Sequence, residues 1–529
     1  MTTPQEWIAG DPDPRDRAEL LALPDDDLAT RFEHPLAFGT AGLRGQMCAG
    51  PSGMNLAVVI RTTAAVVEWL RGRCLGGGRV VVGHDARHKS AEFASAAAEV
   101  FAAAGFPVTF LPAALPTPIT SFAVKRLDAV AGVQITASHN PATDNGYKLY
   151  VTGGAQLVSP ADREIEQLTR LVGPANAVPR SSVTRSGQDL VGQYLSRVTE
   201  LPRGSVRRLR IAVTAMHGVG GEVLVSALRR AGFTDVHVVE EQFAPNPDFP
   251  TVAYPNPEEL GATDRLLGMA AEVNADIAIA LDPDADRCAF GISGPSGWRM
   301  LTGDETGALL ADYILGAAPA DPLVATTIVS SRLLAAIAES HGARYAETLT
   351  GFKWLVRAGP GLVYAYEEAI GHCVDPAFVR DKDGISASVL MADLAATTLA
   401  GGKHVHDLLD DLAVRFGVYA TGQFSRHLSR ADEISTVMAR LRADPPKVLA
   451  GASVSCDDYL ERRGPMHTDA LVFNGGNIRM VVRPSGTEPK VKCYLEVIEP
   501  VADRADLARA RTAAEARLSE LREFAGALA

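Results

Sequence analysis

Three helix-like stretches in this chain each close on a glycine and run directly into a short strand-like segment. FAAAGFPVTFL turns at Gly105, LRRAGFTDVHVV at Gly232 and ESHGARYAETL at Gly342. Glycine tolerates the left-handed backbone that ends a helix, so each is a candidate C-cap. The intervals far exceed the roughly 20–50 residues of a solenoid repeat, which predicts related α/β domains in tandem. Several apolar strands of the buried parallel type precede polar loops. RVVV runs into Gly83-His84-Asp85, AVAGVQI into Thr136-Ala137-Ser138-His139, and LRIAVT into Met216-His217-Gly218. DIAIAL runs into Asp282-Pro283-Asp284, and LVYAY into Glu367-Glu368. Open α/β sheets bind ligands outside the carboxyl ends of their strands, so these loops are where chemistry is expected.

The last hundred residues follow a different pattern. GNIRMVVRP and KVKCYLEVI read as strands around a loop, and Leu507, Ala510, Ala514, Leu518 and Leu521 trace one face of a final helix. This predicts a smaller α+β domain. Candidate linkers are the stretch near 179–187, GAAPADP at 316–322 and the polar run near 424–434.

A chain of 529 residues is too long for one ordinary core. Its 47% hydrophobic and 22% charged residues describe a soluble globular protein. The net charge of −12 argues against nonspecific nucleic-acid binding, though a local basic pocket for a small anion is compatible with it. The six cysteines are scattered without a C-x-x-C pair, so neither a disulfide framework nor a zinc site is expected. No apolar run is long enough to span a bilayer and the N-terminus lacks a signal-peptide pattern, which makes the cytoplasm the default location.

Five segments carry candidate chemistry. T-A-S-H-N-P, followed by D-N-G-Y-K, places Ser138 beside His139 at a strand end, where it could act as a nucleophile or merely cap a turn. D-P-D-A-D-R offers Asp282, Asp284 and Asp286 to one hard cation, or forms a solvated acidic turn. An EF-hand is excluded, because its sixth and twelfth positions would be Arg287 and Ser293. R-P-S-G-T-E-P-K presents Arg483, Ser485 and Thr487 around Gly486, which suits a phosphate or a simple hairpin. Y-E-E-A-I-G-H, with R-D-K-D-G at 380–384, offers carboxylates to sugar hydroxyls. F-G-T-A-G-L-R-G sets Arg44 among glycines, as an anion-facing loop or a structural turn would. A serine nucleophile, a carboxylate metal site and a separate phosphate grip together describe phosphoryl transfer.

In type and order these segments resemble the signatures of the α-D-phosphohexomutases, from about residue 35 to residue 500. The resemblance implies three related α/β domains and a C-terminal α+β domain, TATA-binding-protein-like, around one central cleft. The expected segments are 1–200 with the phosphoserine loop, 201–315 with the metal loop, 316–425 with the sugar loop and 426–529 with the phosphate loop. It implies a catalytic set of Ser138, His139, Lys148 and Arg44, with Lys148 the better candidate for proton transfer. Mg²⁺ would be held by Asp282, Asp284, Asp286 and an oxygen on Ser138, with a sugar bisphosphate as intermediate and activator. Substrate contacts would be Arg287, Thr350, Gly351, Glu367, Glu368 and Lys382, with Arg483, Ser485, Gly486 and Thr487 holding the phosphate that does not react.

The implied activity is interconversion of hexose 1-phosphate and hexose 6-phosphate, with glucose or mannose as the sugar. The partner is then a small sugar phosphate, with no nucleic acid and no membrane, and the enzyme a monomer or small homo-oligomer. One departure bears on the sugar. The family's Glu-x-Ser loop reads Glu367-Glu368-Ala369 here, so a hydroxyl is missing. E-E-A-I-G, D-N-G-Y-K and Y-P-N-P-E-E at 254–259 are similar to a subgroup containing bacterial glucomutases and phosphopentomutases. A phosphopentomutase is therefore the alternative. An aspartyl-phosphate hydrolase, which D-x-D also suits, and a noncatalytic sugar-phosphate sensor are more distant ones.

Overall fold

In a computed structural model of the chain, the three glycines take φ of +86° (Gly105), +98° (Gly232) and +66° (Gly342). They close the helices Ser90–Ala103, Gly221–Arg230 and Leu333–Ser340. The structure describes residues 3–39, 42–295, 297–427, 431–485 and 490–528.

Each of these helices connects two neighbouring parallel strands, and one strand order appears three times. Val80–His84 lies between Val108–Phe110 and Ala131–Ile135. Arg210–Thr214 lies between Asp235–Val238 and Ile277–Leu281. Leu323–Thr327 lies between Arg344–Thr348 and Leu362–Glu367. In every case the first strand is central, the second is its outer neighbour, and the third ends in a polar loop. The central strands of the first and third sheets, and the third strand of the second, are buried at every position, as near-continuous Val, Ile and Ala runs require when helices cover both faces.

The chain divides into two compact units. The first comprises Met1–Leu301 with Gly371–Thr397, and the second Thr302–Ile370 with Thr398–Ala529. In the first unit the two sheets are extended by antiparallel strands. Asp144–Val151 pairs with Ala131–Ile135 and with Leu43–Gln46, and Cys288–Gly294 pairs with Ile277–Leu281. In the second unit an antiparallel sheet runs Val418–His427, Lys490–Glu499, Ile478–Pro484, Leu471–Gly475, Ser455–Asp458. The final helix Leu507–Ala527 buries Leu507, Ala510, Ala514, Leu518 and Leu521, the face expected from its spacing.

Two expected linkers have other roles. Residues 424–427 of the polar run near 424–434 belong to the strand Val418–His427, and a helix starts at Ala431. The strand is polar because it forms the sheet's edge, where only part of each side chain is covered. GAAPADP connects the helix Gly303–Leu315 to the strand Leu323–Thr327 inside the second unit, and the first of the three breaks between units falls at Leu301/Thr302. Among the described residues no single helix is long and apolar enough to cross a membrane.

Candidate functional site

Ser138 follows the third strand of the first sheet and is a non-glycine residue in the left-handed region, at φ +55°. That conformation is costly unless its surroundings enforce it. The Ser138 N–H donates to Thr136 Oγ1 at 2.9 Å. The loop also wraps the buried guanidinium of Arg87, whose Nη1 donates to the carbonyls of Pro141 (2.7 Å) and Asp144 (3.1 Å). Arg87 Nη2 donates to the carbonyls of Ser138 (2.7 Å) and Asn140 (2.6 Å). Arg87 was not among the sequence candidates. Its only signal is its place in His84-Asp85-Ala86-Arg87, at the end of a neighbouring strand. With the loop so held, Ser138 Oγ donates to Asp282 Oδ2 at 2.8 Å and has His139 Nδ1 at 3.2 Å. Burial, together with the nearby Arg287 and Arg44, keeps the His139 imidazole well below its ordinary pKa, and therefore neutral near pH 7.

The aspartates follow Ile277–Leu281, and all three are fully buried. One carboxylate oxygen from each lies within 4.8 Å of the others. Close backbone packing shapes their loop: a Cβ on Gly218 would come 2.3 Å from Pro283 Cα. Lys148 Nζ, also fully buried, donates at 2.6 Å both to Asp284 Oδ2 and to Asp286 Oδ2. Thr117 Oγ1, another residue the sequence reading missed, donates to Asp284 Oδ2 at 2.6 Å. Lys382 Nζ is 3.3 Å from Asp286 Oδ2, and the Arg287 N–H donates to Asp282 Oδ1 at 3.0 Å. Burial drives the Asp282 carboxyl well above its usual pKa, with Asp284 and Asp286 adding to the rise. For Asp284 and Asp286 burial acts in the same direction, but Lys148 overrides it and holds both below the usual range. Arg44 feels the same carboxylates: burial lowers its pKa, and Asp284 and Asp286 oppose that.

Ser138, His139, Lys148, Lys382, Arg287 and Arg44 are thus gathered around three aspartates within the first unit. Oδ1 of Asp284 and Oδ1 of Asp286 are buried with no hydrogen-bond partner among the described residues. Buried carboxylate oxygens left unsatisfied, in an all-oxygen donor set, fit a hard divalent cation such as Mg²⁺ and do not fit zinc's preference for nitrogen and sulfur.

The remaining candidates lie in the second unit. Glu367 ends the strand Leu362–Glu367 and is 8% exposed. Glu368 Oε2 accepts from Ser330 Oγ (2.8 Å), in the loop after the central strand, and from Thr327 Oγ1 (3.1 Å), at that strand's end. Thr350 is partly exposed, and Gly351, at φ +108°, caps the short helix Phe352–Leu355. Arg483 and Ser485 are partly exposed at the end of Ile478–Pro484, where the Ser485 N–H donates to Lys490 O at 2.8 Å. Gly486 and Thr487 lie outside the described residues.

Comparison with known proteins bears on what a buried strand-end serine and three aspartates do together. Family models described as phosphoglucomutase/phosphomannomutase α/β/α domains I, II and III match residues 35–172, 192–293 and 302–416. The C-terminal domain model of the same family matches residues 438–514. The chain belongs to the phosphoglucomutase/phosphomannomutase family. It is 41% identical over 456 residues to a probable phosphomannomutase of Haemophilus influenzae, covering 84% of this chain and 93% of that protein. It is 35% identical over 543 residues to a probable phosphoribomutase of Schizosaccharomyces pombe, covering 93% of this chain and 92% of that protein. The crystal structure of a putative phosphomannomutase from Thermus thermophilus superposes with a TM-score of 0.72 at 25% identity, over 92% of this chain and 99% of that one. Members of this family are phosphomutases, isomerases that move phosphate within one molecule, and the expected four-part α/β architecture is theirs.

Proposed function

We propose that this mutase interconverts hexose 1-phosphate and hexose 6-phosphate, with glucose or mannose as the sugar, through a phosphorylated Ser138 and a bisphosphorylated sugar. The observation that carries this reading is the Ser138 Oγ hydrogen bond to Asp282 Oδ2, at 2.8 Å, inside the buried aspartate cluster. Phospho-Ser138 passes its phosphoryl group to the free hydroxyl of the sugar phosphate. The bisphosphate then returns its other phosphoryl group to the Ser138 oxygen. Asp282, Asp284 and Asp286 would hold Mg²⁺, which when bound offsets negative charge on the transferring group. Lys148, paired with two carboxylates, serves as the proton-transfer group, and Arg44 and Arg287 add positive charge for phosphate oxygens. His139, neutral and 3.2 Å from Ser138 Oγ, orients that oxygen. Lys382 contacts the phosphosugar. Thr350, Gly351, Glu367 and Glu368 are the proposed sugar contacts, and Arg483 and Ser485, with Gly486 and Thr487, the grip on the nonreacting phosphate.

A second reading is that the substrate is a pentose 1-phosphate, converted to the 5-phosphate. Ala369 stands where the family commonly has a hydroxyl, and a probable phosphoribomutase is among the relatives. Turnover of glucose, mannose and ribose 1-phosphates, measured side by side by product-specific coupled assays, separates the two. Preference for either hexose supports the first reading and preference for ribose the second. Turnover of none refutes both.

A further inference from the structure

The family match begins at residue 35, so the helix Pro4–Gly10 lies ahead of it. Together with the helix Leu56–Gly72 and the segment 172–175, this helix lines a cavity of about 240 Å³. Trp7, Ala57, Arg61, Val172 and Pro174 form its walls, and the exposed Glu6 also borders it.

Arg61 is 7% exposed, and its guanidinium carbon lies 4.9 Å from the centre of the Trp7 ring. Its Nη2 donates to the carbonyls of Thr169 (3.2 Å) and Val172 (3.0 Å), at the end of the helix Ala161–Leu171. That capping accounts for Nη2 alone. No carboxylate pairs with Arg61, and neither its Nε nor its Nη1 has a hydrogen-bond partner among the described residues. Burial lowers its pKa. Trp7, also 7% exposed, carries a buried indole N–H without a partner. A buried cation without a counter-ion is costly, and Arg61 lines this cavity beside the Trp7 ring.

We propose that this cavity binds a small organic monocarboxylate, at a site separate from the Ser138 centre. The carboxylate takes the guanidinium as counter-ion, and the carbon skeleton lies against Trp7, Ala57, Val172 and Pro174. A dianion such as phosphate fits less well, because there is one cation, the walls are apolar and Glu6 adds negative charge.

Ligand-observed NMR on the full chain tests this, with benzoate as probe and benzyl alcohol and inorganic phosphate as comparators. Benzoate binds saturably; benzyl alcohol, which lacks the charge-assisted hydrogen bond, and phosphate, which meets apolar walls, bind about tenfold more weakly or worse. Arg61→Gln removes the charge but keeps an amide donor for the helix end. Ala57→Leu fills the cavity and leaves Arg61 intact. Each variant, confirmed as folded by its melting curve, weakens benzoate about tenfold or more. The proposal is overturned if benzoate does not bind, if benzyl alcohol or phosphate binds as tightly, or if Ala57→Leu leaves benzoate binding unchanged.

Discussion

Ser138, Lys148 and the three aspartates have at most 1% of their surface exposed, whereas Thr350, Arg483 and Ser485 in the second unit remain partly exposed. The first group is a buried network in which each charge depends on another, with Oδ1 of Asp284 and of Asp286 still lacking hydrogen-bond partners among the described residues. The second consists of side chains on loops and strand ends, open to the ligand contact proposed for them. Removing one partner from a buried charge network leaves the others uncompensated, while removing a half-exposed contact costs mainly the ligand interaction. The two units should therefore respond to mutation differently in kind as well as in size.

The largest effect expected is from Ser138→Ala. Turnover should fall by about 10⁴-fold or more, with phosphate on residue 138 gone by mass spectrometry and melting little changed. Near-normal turnover in this variant would remove the carrier from the mechanism.

Lys148→Met comes next and tests interdependence. Turnover should fall by about 10²–10⁴-fold. The protein should also lose about 3–5 kcal/mol of stability, because Asp284 and Asp286 lose their shared cation. Exhaustive chelation should likewise abolish turnover in the wild type, and Mg²⁺ should restore it. An unchanged melting temperature in Lys148→Met would show that the network is not interdependent.

In the second unit, Arg483→Ala should lower kcat/KM by about 10–100-fold for glucose, mannose and ribose 1-phosphates alike, because the role proposed for Arg483 is to read phosphate. Melting should be unaffected. Ala369→Ser should change the ratio of kcat/KM between glucose and ribose 1-phosphates by about fivefold, the scale of one restored hydrogen bond. If instead Arg483→Ala changes the preference and Ala369→Ser does not, phosphate and sugar recognition are not divided in this way.

The smallest effect concerns Asp304, at the start of the helix Gly303–Leu315. Burial pushes its carboxyl up to about 7, with Glu368 and Glu496 adding to the rise. Its folded pKa lies above its unfolded one, so ionisation opposes folding. The contribution of Asp304 to stability should be greatest below about pH 4, fall as the pH rises towards 7, and level off above it. Asp304→Asn should flatten that fall, gaining on the order of 1–2 kcal/mol at pH 8 relative to wild type once partial exposure is allowed for. An identical pH dependence of melting in the two proteins would count against it.

Much of the fold was legible because its signals are local. A glycine after a helix, an apolar run and a polar loop each report a few neighbouring residues, and Gly105, Gly232 and Gly342 do mark three copies of one arrangement. Ser138 and the aspartates were legible for the same reason, since their motifs are contiguous. Arg87 was not, because its four acceptors are carbonyls more than fifty residues further along the chain. Thr117 was hidden in the same way, 167 positions from Asp284. The polar run near 424–434 was misread as a linker because an edge strand is as polar as a connection.

By itself, then, the sequence determined the repeated α/β units, the serine and aspartate loops, and the family, all of which are written in short contiguous patterns. Tertiary structure alone decided that Lys148 bridges Asp284 and Asp286, that Arg87 holds the Ser138 loop, and that Arg61 lines a cavity beside Trp7. Burial and long-range pairing set the energy of a charge, and neither is a property of the residues next to it in the chain.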